Sequence, residues 1–165
     1  MPQIKEYNRI KAIEYANKWA LSRNPNYLDF TNYGGDCTNY ISQCLYAGSG
    51  VMNYTKTFGW YYISANDRSP SWTGVKYLYN FLTTNKTRGP FATEIPLTDI
   101  KVGDLIQLKN DINVYYHTLI VSEIRGQTTP DYVLIDAHDF NALRRPLGTY
   151  NYASYRCLRI EGVYV

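Results

Sequence analysis

Histidine and cysteine are scarce in this chain, with two of the first and three of the second among 165 residues. Three cysteines cannot all pair. Cys37 and Cys44 would lie about 10 Å apart on one helix, beyond the roughly 7 Å that a disulfide spans. A disulfide-stapled scaffold is excluded, and at least one free thiol is expected. No apolar run approaches the ~20 residues of a membrane helix, so no membrane insertion is expected. The opening Met1-Pro2-Gln3-Ile4-Lys5-Glu6 lacks the apolar centre of a secretory signal. Charge is modest: 19% of residues are charged, net +3, with a pI near 8.6. The basic residues are scattered and leave no nucleic-acid footprint, although mild basicity suits a polyanionic surface. Repeats, low-complexity tracts and an interdomain linker are all missing.

What remains is an ordinary globular composition, 45% hydrophobic, with tyrosine in excess at 18 residues against 5 Phe and 3 Trp. The length suits one domain, residues 1–165, with a core large enough to stand without staples. Helical spacing dominates the first half. Ile10, Ile13, Ala16 and Ala20 recur between Tyr7 and about Leu21, and Asn24-Pro25-Asn26 closes that segment. Cys37, Tyr40, Ile41, Cys44 and Leu45 follow helical steps, with Gly48 placed to end the helix. After an aromatic loop between Gly50 and Pro70, Val75, Leu78, Tyr79 and Leu82 predict a third helix over about 73–82. Period two then takes over, with strands expected at 100–108, 114–122, 132–137 and 155–163. Helices first and strands afterwards imply an α+β fold, with helices packed on one side of an antiparallel sheet.

The candidate chemistry starts at Gly34-Gly35-Asp36-Cys37-Thr38-Asn39-Tyr40. A helix N-terminus favours a thiolate through its unpaired N–H groups and dipole. The Cys37 N–H is a natural oxyanion donor, the paired glycines permit close substrate approach, and Asp36 is placed as an N-cap or substrate contact. The bland alternative makes Cys37 a small buried hydrophobe like Cys44 and Cys157. A nucleophile needs a base. His117 shares a strand face with Leu119 and Val121, which predicts a ring turned toward the Cys37 helix. An orienting group is expected from the strand Asp131–Ala137 and the residues just after it. Alternation puts Leu134, Asp136 and His138 on one face, so either Asp136 or His138 could orient His117. Asp139, beyond the strand, is the least favoured. Zinc ligands usually come as close pairs, whereas these are singletons, so no metal or other cofactor is expected.

These segments together resemble a known family. Tyr7 to Ala16, Arg23-Asn24-Pro25-Asn26-Tyr27 and Gly34-Gly35-Asp36-Cys37-Thr38-Asn39-Tyr40-Ile41-Ser42-Gln43 are similar to an amidase domain found mainly in Gram-positive bacteria. Trp72-Thr73, Gly103-Asp104, His117-Thr118-Leu119-Ile120-Val121 and His138 follow in the family's order. Tyr40 replaces the usual Phe, and Asp139 follows His138 where Thr is common. The resemblance implies kinship with papain-like cell-wall cysteine hydrolases, including the CHAP amidases. It implies a Cys-bearing helix against a sheet carrying His and a third polar residue, and hydrolysis of amide bonds in peptidoglycan.

The expected function is therefore a cysteine amidase or peptidase acting on peptidoglycan or peptide, with Cys37 and His117 catalytic and Asp136 or His138 completing a triad. Asp36, Trp60 and Trp72 are the expected substrate contacts. The expected setting is monomeric and extracellular, at the wall of a Gram-positive bacterium. It could form part of a longer multidomain chain, and a phage origin is equally compatible. Two rivals stand beside it: a non-catalytic glycan-binding module with a groove of Trp60, Tyr61, Tyr62 and Trp72, and an acyltransferase of the same fold. Fold-level analogy alone does not establish a substrate.

Overall fold

A computed structural model describes all 165 residues. After a short strand β1 (Ile4–Lys5), helix α1 (Arg9–Trp19) begins at Asn8, whose side chain accepts the Lys11 N–H. Helix α2 (Cys37–Ser49) is almost wholly buried. It runs past Gly48 and ends at Gly50, which takes the left-handed cap conformation (φ 71°). Gly48 is small for another reason: a Cβ there would lie 2.5 Å from the Tyr7 ring and 2.8 Å from the Asn8 carbonyl. The expected terminator is thus a point of close approach between the starts of the chain and the end of α2.

The aromatic segment folds into a two-stranded hairpin, β2 (Tyr62–Ser64) and β3 (Asp67–Arg68), and then a single turn, α3 (Pro70–Thr73). The third expected helix appears as α4 (Val75–Thr84), burying Leu78, Phe81 and Leu82. Strands β4 (Gly89–Ile95), β5 (Leu105–Lys109), β6 (Tyr115–Ile124), β7 (Val133–Ala137), β8 (Ala142–Pro146) and β9 (Ser154–Tyr164) complete the chain. All pair antiparallel, in the order β9-β5-β6-β7-β8, with β4 and β1 also paired to β9. The fold is α+β, as expected. Strand β4 escapes sequence reading because it opens on Gly89-Pro90. Strand β8 escapes because its alternation breaks at Arg144.

The sheet separates two cores. One holds the helices together with Leu105, Ile120, Leu158, Ile160 and Val163. The other, on the opposite face, gathers Ile106, Leu108, Leu119, Val121, Val133 and Ile135 under two 3-10 turns, Leu97–Asp99 and Leu147–Thr149. Gly103-Asp104 ties α1 to this frame. The buried Asp104 accepts bonds from Arg9 Nη1 (2.8 Å), the Ile160 N–H (3.0 Å) and the Lys101 N–H (2.9 Å). Tyr7 adds a hydroxyl bond to the Gly103 carbonyl. A buried charge with three donors is fully compensated, so this corner is rigid.

Candidate active site

Helix α2 carries Cys37 as its first residue and aims its N-terminus at the end of β6. The Thr38 and Thr118 hydroxyls meet at 3.0 Å, pinning the helix tip to the strand. His117, the residue before Thr118, lies on the face of Leu119 and Val121. That face belongs to the second core and not to α2. The expectation that the ring turns toward the α2 side of the sheet is therefore corrected. The imidazole nonetheless reaches the thiol, a ring nitrogen lying within 4.8 Å of the Cys37 sulfur at the tip of α2.

Asp139 completes the cluster. The Cys37 sulfur, a His117 ring nitrogen and an Asp139 carboxylate oxygen all lie within 4.8 Å of one another. Ile120 pairs with Asp136 and Val121 with Ile135 across β6 and β7. Continued past the end of β7, that register sets residue 139 across from His117. Asp139 (φ 60°) and Phe140 (φ 64°) both take left-handed backbone in the β7–β8 turn. That conformation suits Asp better than Phe. The turn brings the carboxylate back over the helix tip, where it accepts the Asp36 N–H (2.8 Å) and, more loosely, the Cys37 N–H (3.3 Å). The N-terminal donors of α2 are thus met from about a hundred residues away in sequence, and the Asp36 side chain makes no cap bond. Gly35 allows this approach, since a Cβ there would stand 2.7 Å from the Asp139 carboxylate.

The two residues expected to orient His117 are engaged elsewhere. His138 shares the α2 face with Asp136. Its Nδ1 lies 2.5 Å from Asp36 Oδ2, its Nε2 meets the Trp19 carbonyl at 2.7 Å, and its ring stacks on Tyr40 at 4.0 Å. Asp36 Oδ1 in turn accepts the Phe30 N–H and the Asn39 amide, so Asp36 braces the approach to α2 from a fully buried position. Asp136 accepts the Arg144 N–H at 2.8 Å, and burial raises its pKa. Trp60 and Trp72 are also displaced from their expected role. Both are fully buried, with ring centroids 4.9 Å apart, and their indole N–H groups donate to Ser42 and Asn39 of α2. They form the packing under α2, and the groove of exposed aromatics required by a glycan-binding module is not built from them.

Electrostatics at the cluster favour neutral partners. Burial pushes the Cys37 thiol up to about 11, reinforced by the Asp139 charge and opposed by the Thr118 N–H and Thr38 hydroxyl. Burial likewise pushes His117 down to about 4, with Asp139 opposing and Arg145 assisting. Burial thus disfavours the charged form of both the thiol and the imidazole. The same three donors are types that a zinc ion accepts. Sequence reasoning ranked Asp139 last and missed the lining of a cavity of about 330 Å³ that opens from His117, including Tyr116, Arg145 and Tyr150. Extending the strand register could have found Asp139.

A family model described as "Putative amidase domain" matches residues 6–160, spanning Cys37, His117 and Asp139. The chain belongs to this amidase-domain family. The amidase domain is also similar to the uncharacterized protein YhbB of Bacillus subtilis (strain 168), at 28% identity over 144 residues. That match covers 85% of the present chain and 44% of the relative, so the chain spans less than half of that protein's length. No solved structure matches. Family membership points to amide hydrolysis as the chemistry of the domain. No helix is long and apolar enough to cross a membrane.

Proposed function

We propose that the amidase domain is a papain-like cysteine hydrolase that cleaves amide bonds of bacterial peptidoglycan, with Cys37 as nucleophile, His117 as acid and base, and Asp139 as the orienting carboxylate. The observation that carries this reading is the approach of sulfur, imidazole and carboxylate to within 4.8 Å at a helix N-terminus. His117 takes the Cys37 proton as sulfur bonds to the amide carbonyl carbon. It then gives that proton to the nitrogen as the C–N bond breaks, releasing the amine and leaving a thioester. Water attacks the thioester carbon and passes a proton to His117. The C–S bond breaks and the thiol recovers its proton. The 3.3 Å bond from the Cys37 N–H to Asp139 is long enough to yield to the substrate oxyanion, while the 2.8 Å bond from the Asp36 N–H keeps the carboxylate in place. Mild net positive charge suits an anionic wall as substrate.

The test is mass spectrometry of purified peptidoglycan before and after incubation. Wild-type protein should create new amine and carboxylate ends, and Cys37→Ala should create none. Turnover by that variant at the wild-type rate ends the proposal. The donor set also favours a second reading, a zinc hydrolase. Activity that survives chelation and falls on adding zinc supports the cysteine mechanism. The reverse pattern supports the metal.

A further inference from the structure

We propose that Arg145 forms a carboxylate-receiving subsite on the amine side of the scissile bond, so that the group released by the enzyme carries a free carboxylate. This rests on the hydrolase reading above and deepens it.

A bulge in strand β8 sets the direction of Arg145. Ala142 pairs with Ala137 but Arg145 pairs with Ile135, so β8 holds one residue more than its partner between those pairs. Ala142 belongs to the second core and Leu143 packs against the first, as strict alternation requires. Arg145 would then follow Leu143 onto the helix side. The bulge reverses this and puts Arg145 on the face of Ile135 and His117. Arg144 takes the strain, with a left-handed φ of 51°, and its N–H is held by the buried Asp136 carboxylate at 2.8 Å. The buried carboxylate that sequence reasoning offered as an orienter thus holds the bend that aims Arg145.

Arg145 lines the cavity of about 330 Å³ beside Tyr116, His117, Asp139, Phe140 and Tyr150. Its guanidinium lies 3.7 Å over the Tyr150 ring, which is itself 5.9 Å from the His117 ring. Two of its nitrogens bond Thr149, to Oγ1 (2.7 Å) and the carbonyl (2.9 Å), which fixes the group while leaving Nη1 without a protein partner. No carboxylate forms an ion pair with it. The Tyr150 hydroxyl is buried, meets no well-aligned hydrogen-bond partner, and lies close enough to the Arg145 guanidinium to be stabilised by it. A fixed guanidinium with no direct ion-pair partner, beside a buried hydroxyl, is chemistry for a carboxylate. Which half of the substrate enters follows from the mechanism: His117 must protonate the departing amine, so the amine-side group lies over His117 and extends into this cavity.

The test needs no natural substrate. Bromoacetyl-glycine and bromoacetyl-β-alanine alkylate a thiol while projecting a carboxylate beyond an amide, and their carboxamide analogues project none. The readout is the ratio of carboxylate to carboxamide labelling rates at Cys37, located by peptide mass mapping. Wild type should favour one or both carboxylates by about tenfold. Arg145→Gln should erase that preference, and Arg145→Lys should restore part of it. Arg144→Asn, which removes the same charge next door and suits left-handed backbone, should retain it. The proposal is overturned if the wild type shows no preference for either carboxylate, or if Arg144→Asn loses as much as Arg145→Gln. If Cys37 in folded protein takes none of the reagents, the hydrolase reading itself fails and the subsite falls with it.

Discussion

Asp139 does two jobs with one carboxylate. It lies within 4.8 Å of the Cys37 sulfur and the His117 ring, and it accepts the first N–H groups of α2. The two jobs separate under substitution. Asp139→Asn keeps an acceptor at the helix tip but removes the charge, so melting should stay near wild type while kcat/KM falls about 10²-fold or more. Asp139→Ala should lose a similar amount of activity and also about 1 kcal/mol of stability, because the helix loses its cap. Equal, intact turnover in both variants would show that Asp139 is only a cap. Sequence reading ranks this residue last for a local reason. Strand alternation points to Asp136 and His138, but both face α2 and are consumed by Arg144, Asp36 and Trp19. Asp139 reaches the site only through a turn with two consecutive left-handed residues, which period-two reasoning does not see. Cys37 and His117 needed no such geometry, since a thiol behind Gly-Gly and a histidine in an apolar strand are visible as residue types.

Elements were legible where apolar residues recur without interruption at the element's own period. Helix α2 and strands β5, β6, β7 and β9 carry their periodicity openly. Strands β4 and β8 do not, because a Gly-Pro start and a bulge interrupt the pattern. Gly48 shows how a local rule can mislead: glycine near a helix end reads as a terminator, yet here it admits Tyr7 and Asn8 against α2. Gly48→Ala is therefore expected to destabilise the domain by about 1–3 kcal/mol through overpacking, despite the higher helix propensity of alanine. Denaturant unfolding measures this directly. A stabilised variant would mean that α1 and α2 can separate at no cost.

On the scale of the whole molecule, the sheet supplies two faces and the site draws residues from both. The helix face contributes Cys37 and its bracing, Asp36, His138 and Tyr40. The far face contributes His117, Asp139 and the cavity with Arg145. That division explains why a helix-on-sheet picture read from sequence places the cysteine and the histidine in the same region but mistakes the direction of the ring. It also explains the direction of both shifts, since both groups are buried and burial disfavours either charge. The pH dependence has a definite sign. In the proposed mechanism His117 accepts a proton from Cys37 only when its ring is neutral, so reactivity should be lost as pH falls through about 4 and should hold level across neutrality.

The most direct test of the account is the rate of Cys37 alkylation by iodoacetamide as a function of pH, in wild type and His117→Ala. Wild type is predicted to label at Cys37 ahead of the buried Cys44 and Cys157, with a rate that rises near pH 4 and then levels. His117→Ala should label at least tenfold more slowly at neutral pH and show only the climb of an unassisted, buried thiol at high pH. Identical profiles in the two proteins would contradict the claim that Cys37 and His117 work as a pair.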